Sequence, residues 1–239
     1  MLKMDNKSIH YVNEAESKIQ LSTEKAVSNR FVAFLDIMGF KDRVARTPHS
    51  DLLKDLIEFN KEISTLIAEK TVNGSDLTLA QFSDSIVIFS SNASQQSFKE
   101  LADVTSGIMY KAIQMMIPLK GAIAYGKVTC DMSKQLFFGQ ALIDAYLLEE
   151  NVQFYGVLVH HTAEEYVIKS LPNNIFRDIQ APLKSGKISH YELIWYNNEG
   201  NSTETIEALN HLRTTVSDAP RKYIDNTLDV IKLPQKSES

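Results

Sequence analysis

The sequence holds a single cysteine, Cys130, among 239 residues, so no disulfide can form within the chain and no Cys/His cluster at zinc spacing is available. A reducing, cytoplasmic setting is expected. No stretch approaches the roughly 18 uninterrupted apolar residues of a membrane helix. Residues 1–30 interleave Lys3, Asp5, Lys7, Glu14 and Glu16, and so lack the apolar centre of a secretory signal. There is no basic excess: the formal net charge is -5, which disfavours a broad face for polymeric DNA or RNA but leaves room for a local pocket holding a small polyanion. Neither a P-loop nor the elbow of a serine hydrolase is present.

What is there reads as one main domain, since 44% hydrophobic content supports one large core. The apolar run Phe31–Asp36, followed by Gly39, predicts a buried strand that delivers Asp36 to its C-terminal edge. Leu52, Leu56, Phe59, Ile63 and Leu66 have helical spacing within 51–69, and Asn73-Gly74-Ser75 ends that pattern. Two β-rich runs, 77–80 and 86–89, flank Gln81–Ser85 and predict a hairpin with Asp84 near its tip. A capping box at Ser97 and Glu100 opens a second helix, which Pro118 closes. A strand over 119–130, a helix over 140–150 after Gly139, and a strand over 157–159 follow. A capped helix is expected over 162–169, with its box at Thr162 and Glu165, then a strand over 189–195. Helical stretches near 204–213 and 220–231 precede a polar end, 235–239, expected to fray. The fold class is thus α+β with a ferredoxin-like βαββαβ core, an extra C-terminal strand and helices. In that arrangement the first and third strands are antiparallel neighbours, which brings Asp36 and Asp84 together. The segments divide as an N-terminal extension (1–30), the domain (31–196) and a C-terminal helical extension (197–239).

Several of these stretches resemble the class III nucleotidyl cyclases. Phe34-Leu-Asp-Ile-Met-Gly-Phe40 is similar to the family's first motif, and Phe82-Ser-Asp-Ser-Ile-Val-Ile88 to its hairpin motif, with Ser83 where Gly is usual. Leu119–Gly126 and Phe137–Glu149 resemble the next strand and the glycine turn with its helix, in family order. Within the family, the compact bacterial pyrimidine cyclases of Pycsar antiphage systems read most similarly. The resemblance implies conversion of UTP or CTP to the 3′,5′-cyclic monophosphate by a homodimer, as a signal to a separate effector that responds to the cyclic nucleotide. It implies two divalent ions, Mn²⁺ or Mg²⁺, held by Asp36, Asp84 and the carbonyl of Ile37.

The residues support part of this unaided. An in-line attack on an α-phosphorus needs charge offset at both nucleophile and leaving group, and Asp oxygens suit hard divalent ions. Met38-Gly39-Phe40, entering a helix with Lys41 beyond, offers backbone N–H groups to phosphate oxygens, and Arg43 is a further candidate. An Asp ending a strand or a hairpin is ordinary cap or turn chemistry taken singly; the pairing of two in this strand order is what points to metal. One departure stands out. Where the family places an Asn and an Arg on the helix after the glycine turn, this chain has Ile143 and Leu147, with Asp144 and Tyr146 nearby. The transition-state cation is therefore unassigned among Lys120, Lys127 and Lys184. A cyclase-like module that binds nucleotide without turnover, and a polymerase-like or dinucleotide-forming enzyme, stay open as alternatives. His160-His161, Met109, Met115, Met116, Tyr125, Trp195 and Cys130 are expected to serve packing.

Overall fold

The computed structural model describes residues 26–70, 77–170, 175–196 and 202–233. The break at 73–75, the polar end 235–239 and most of 1–30 lie outside the described residues.

Strand β1 (Val27–Ile37) alternates in its second half: Phe31, Ala33, Leu35 and Ile37 are buried in the main core, whereas Val32, Phe34 and Asp36 turn to the opposite face. It begins four residues before the apolar run because Val27–Arg30 still pair with Gly126–Thr129. The short helix α1 (Phe40–Arg46) and the long helix α2 (His49–Lys70) follow. The hairpin β2 (Thr78–Phe82) and β3 (Ser85–Phe89) then leads to helix α3 (Gln95–Gln114). Strand β4 (Leu119–Asp131) folds back through β5 (Leu136–Gly139) into helix α4 (Gln140–Asn151). Strand β6 (Val157–Val159), helix α5 (Glu164–Ser170), the hairpin β7 (Phe176–Leu183) and β8 (Gly186–Leu193), and helices α6 (Thr203–Thr215) and α7 (Ala219–Ile231) complete the order.

The sheet runs β2-β3-β1-β4-β6-β8-β7, with β5 paired to β4 off that path. β1 is antiparallel to both β3 and β4, the expected βαββαβ arrangement. On one face, α2 and α3 contribute Phe59, Ile63, Phe98, Leu101 and Ile108 to the main core, and α6 and α7 add Leu209 and Ile224. α4 crosses the other face over β1 and β4, above a smaller cluster with Leu148, Val152, Phe154 and Leu158. Among the described residues no helix is long and apolar enough to cross a membrane.

Three local expectations need correction. The cap of α3 is Ser94, whose hydroxyl accepts the Ser97 N–H at 3.1 Å; Glu100 instead receives the amide of Gln96. Ser97 and Ser94 offer the same chemistry three residues apart, and burial of Ser97 in the first turn decides between them. Thr162 does not cap α5: its hydroxyl accepts the Tyr125 N–H at 3.0 Å and ties the loop to β4, while a 3₁₀ turn opens the helix. Strand β7 was not expected, although Phe176, Ile179, Ala181 and Leu183 are its buried positions. Pro182 argues against a central strand, and β7 is in fact the sheet edge, where a missing N–H is tolerated.

The packing residues behave as expected. Met109 and Trp195 are buried in the core, Tyr125 lies 4.9 Å from the Phe31 ring, and Cys130 is buried with its thiol pushed up by burial. The last helix is locked from β7. Arg177 bonds Glu192 at 3.0 Å, donates to the carbonyls of Val230 and Leu233 at the end of α7, and lies over the Tyr196 ring. Glu192 is fully buried, so Arg177→Ala strands an anion in the core; a loss of about 3–5 kcal/mol is expected, read from the urea midpoint.

Candidate active site

The C-terminal end of β1 is clamped from both sides. The Ile37 N–H donates to the Asp84 carbonyl at 2.9 Å, and the Met38 N–H donates to the Pro118 carbonyl at 2.9 Å. Asp36, one residue earlier, sits directly across from Ser85 on β3 and Lys120 on β4. The sheet therefore brings Asp36 and Asp84 together as the strand order predicts, 48 positions apart in sequence. The Ile37 side chain is buried, which leaves only its backbone to face a ligand. Ser83 opens the two-residue turn at φ 57°, a left-handed conformation that favours glycine. Ser83→Gly is accordingly expected to stabilise the fold by about 0.5–1 kcal/mol in urea denaturation, with the turn otherwise unchanged.

Gly39 caps α1 at φ 75°, ψ 14°. Open space surrounds the position a Cβ would take, so the backbone angle, rather than crowding, is what requires glycine here. Met38 and Phe40 turn their side chains to the core, and Lys41 is exposed beside Asp42 in the first turn. Arg43 does not join them. It donates to the Met116 carbonyl at 2.7 Å and pairs with Asp55 at 3.3 Å, which makes it a strut between α1, α2 and the end of α3.

Burial is the largest influence on Asp36 and, with repulsion from Glu149 and Asp84, outweighs the attraction of Lys120, so its carboxyl is raised to about 7. Lys120 is itself buried. Its ammonium lies 2.9 Å from Glu149 Oε1 and 3.0 Å from the Glu149 carbonyl, in the last turn of α4. Burial pushes Glu149 up as well, against the opposing pull of Lys120. Tyr146 covers the same face, its ring 5.5 Å from Phe34 and its hydroxyl raised by a hydrogen bond to Glu150.

This geometry ranks the candidate cations. Lys120 is nearest to Asp36 but is paired; Lys184, exposed between β7 and β8, acts electrostatically on Glu149; Lys127, exposed seven positions along β4, faces Asn29. Ile143 and Leu147 are half-exposed, at 49% and 50%, and carry no charge to the site. Asp144 accepts a hydrogen bond from Gln140 at 2.7 Å. Glu149 is the residue that sequence reasoning missed, since nothing in the order of residues links it to Lys120, 29 positions away. His160 is engaged by Thr162 at 3.0 Å, its ring pKa lowered by burial, in keeping with a structural role.

Two carboxylates beside a backbone carbonyl are a hard-oxygen set that fits Mg²⁺ or Mn²⁺. Among the described residues no group of three or more His, Cys, Asp or Glu side chains converges on a metal position. Coordination there would need further oxygens, from a ligand or from water, to complete the shell.

No protein-family model and no curated protein matches the sequence. Solved structures do match it. The catalytic core of a rhodopsin-guanylyl cyclase with converted specificity, in complex with ATPαS, aligns with a TM-score of 0.53 at 14% identity, over 70% of this chain and 95% of that one. The fold is that of the class III cyclase catalytic domain. A bacterial light-regulated adenylyl cyclase aligns with a TM-score of 0.52 at 14% identity, over 80% and 99% of the two chains. The adenylyl cyclase CyaB from P. aeruginosa gives 0.50 at 15% identity, over 70% and 94%. On this cyclase fold, the candidate carboxylates stand at the clamped end of the central strand.

Proposed function

We propose that the chain is a metal-dependent nucleotide cyclase that converts a nucleoside triphosphate to its 3′,5′-cyclic monophosphate and pyrophosphate. The observation that carries this is the convergence of Asp36 and Asp84 at one sheet end, with Asp36 held where its negative charge is poorly compensated. Asp36, Asp84 and the Ile37 carbonyl would hold two Mn²⁺ or Mg²⁺ ions, which would supply Lewis acidity toward the attacking 3′-hydroxyl and positive charge opposite the departing pyrophosphate. The Met38-Gly39-Phe40 backbone and Lys41 orient the phosphates. UTP or CTP is the substrate, and the product signals to a separate effector in cytoplasmic antiphage defence; support for this is the motif resemblance to pyrimidine cyclases.

The active unit is a homodimer. Ile143, Tyr146 and Leu147 on α4 are 42–50% exposed, an apolar surface on the site's side of the sheet, whereas Leu136 and Phe138 on β5 lie on the opposite face, since Phe137 between them packs with Val32 and Cys130. A second reading, nucleotide binding without turnover, is favoured by one observation: Ile143 and Leu147 stand where the family has Asn and Arg, and Lys120 is already paired. Incubation of the purified protein with each NTP and Mn²⁺, followed by mass spectrometry, separates the two. A cyclic pyrimidine monophosphate is expected, absent from Asp36→Ala and Asp84→Ala. Nucleotide binding with no product from any NTP would favour the binding module, and a dinucleotide would favour polymerase-like chemistry.

A further inference from the structure

Lys120 and Glu149 are both nearly inaccessible, their side chains 8% and 4% exposed. Such a pair gives up two hydration shells and commonly adds little net stability over apolar side chains of similar size. Stability alone therefore does not account for its place beside the site. That place is specific: Lys120 is the direct cross-strand partner of Asp36, so the two side chains share a face of the sheet at adjacent positions. An unengaged ammonium there would meet the Asp36 carboxylate and occupy the oxygens a metal needs. Instead the ammonium is drawn to α4, where it meets both the carboxylate and the main-chain carbonyl of Glu149. The same carbonyl accepts the Val152 N–H, and the Tyr146–Phe34 ring contact one turn earlier pins α4 over β1.

We propose that Glu149 is a positioning residue that holds the Lys120 ammonium away from Asp36 and so leaves that carboxylate open to a divalent cation. The inference rests on the metal site proposed above, but not on cyclisation. It makes Glu149 necessary only while Lys120 is present.

The test is a Mn²⁺ titration of the full chain followed by electron paramagnetic resonance, a readout independent of turnover. Glu149→Gln keeps the shape of the side chain and releases the ammonium, and Mn²⁺ binding is expected to weaken about tenfold to a hundredfold. Adding Lys120→Met to Glu149→Gln removes the competing cation and should restore affinity to near the wild-type value. Should Glu149→Gln unfold, the apolar pair Lys120→Met with Glu149→Leu answers the same question, with wild-type-like Mn²⁺ binding expected. Unchanged binding in Glu149→Gln, or no recovery in either double variant, overturns the proposal; so does Mn²⁺ affinity that only follows the urea midpoint through the series, because a merely structural pair would lose and regain stability and binding together. Absence of Mn²⁺ binding by the wild type overturns both this and the metal site beneath it. The expected binding pattern without turnover leaves this inference standing and removes the cyclase reading alone.

Discussion

Asp36→Asn is expected to eliminate turnover and, in metal-free buffer, to make the fold more stable above pH 7. The two effects share one cause. Burial and the nearby Glu149 and Asp84 charges lift the Asp36 carboxyl from the ordinary carboxylate range to about 7. In the unfolded chain the same group ionises near 4, so between pH 4 and 7 the folded state retains a proton that the unfolded state has lost. Its contribution is fully favourable below pH 4 and is lost as pH rises through 7. Asparagine never ionises and escapes the penalty. Three pKa units would correspond to about 4 kcal/mol in a dry site; partial exposure of Asp36 reduces the expected gain to about 2 kcal/mol at pH 8. Urea denaturation with chelator at pH 3, 5 and 8 measures it, and the expected gain is absent at pH 3, partial at pH 5 and largest at pH 8. Activity, in contrast, should fall at least about a thousandfold, since a carboxamide is a poor ligand for the charge the reaction must offset. A variant that is inactive but no more stable at pH 8 would mean that the site is not electrostatically frustrated.

Ile143→Asp combined with Leu147→Asp is expected to yield a folded monomer without cyclase activity. Both side chains are half-exposed on α4, so carboxylates there cost the isolated protomer little. In a dimer that covers this face they would be buried. Losing two apolar contacts removes about 3 kcal/mol or more of association energy, and each unpaired carboxylate adds a desolvation cost of a few kcal/mol. Together these weaken association by a factor of about 1,000 or more. Sedimentation analysis checks the state directly: a wild-type dimer and a variant monomer are expected, with activity lost in parallel. An active wild-type monomer would move the complete site into one chain and leave the apolar face for another use.

The parts of this picture that sequence reveals are those with local signals. A short apolar run ending in Asp36 before Gly39 marks β1, and two β-rich runs around Asp84 mark the hairpin. Strand order then supplies their proximity without reference to any relative. What escapes is set by contacts between distant residues. Four serines at 90, 91, 94 and 97 compete for one helix start, and only burial selects Ser94. β7 alternates apolar and polar side chains but carries Pro182, so the sequence favours a loop until its edge position is known. Arg43 looks like a phosphate ligand beside Gly39, yet Asp55 and the Met116 carbonyl claim it. Lys120 looks like any strand-start lysine until Glu149, on a helix 29 positions later, fixes it in the interior.

The central claim, that Asp36 and Asp84 support metal-dependent cyclisation, is tested most directly by following an α-phosphorus-labelled NTP to its products. With Mn²⁺ present, one 3′,5′-cyclic monophosphate per pyrophosphate is predicted, and neither should form with chelator or in Asp84→Ala. Release of a nucleoside monophosphate, formation of a dinucleotide, or product that persists in Asp84→Ala would contradict it.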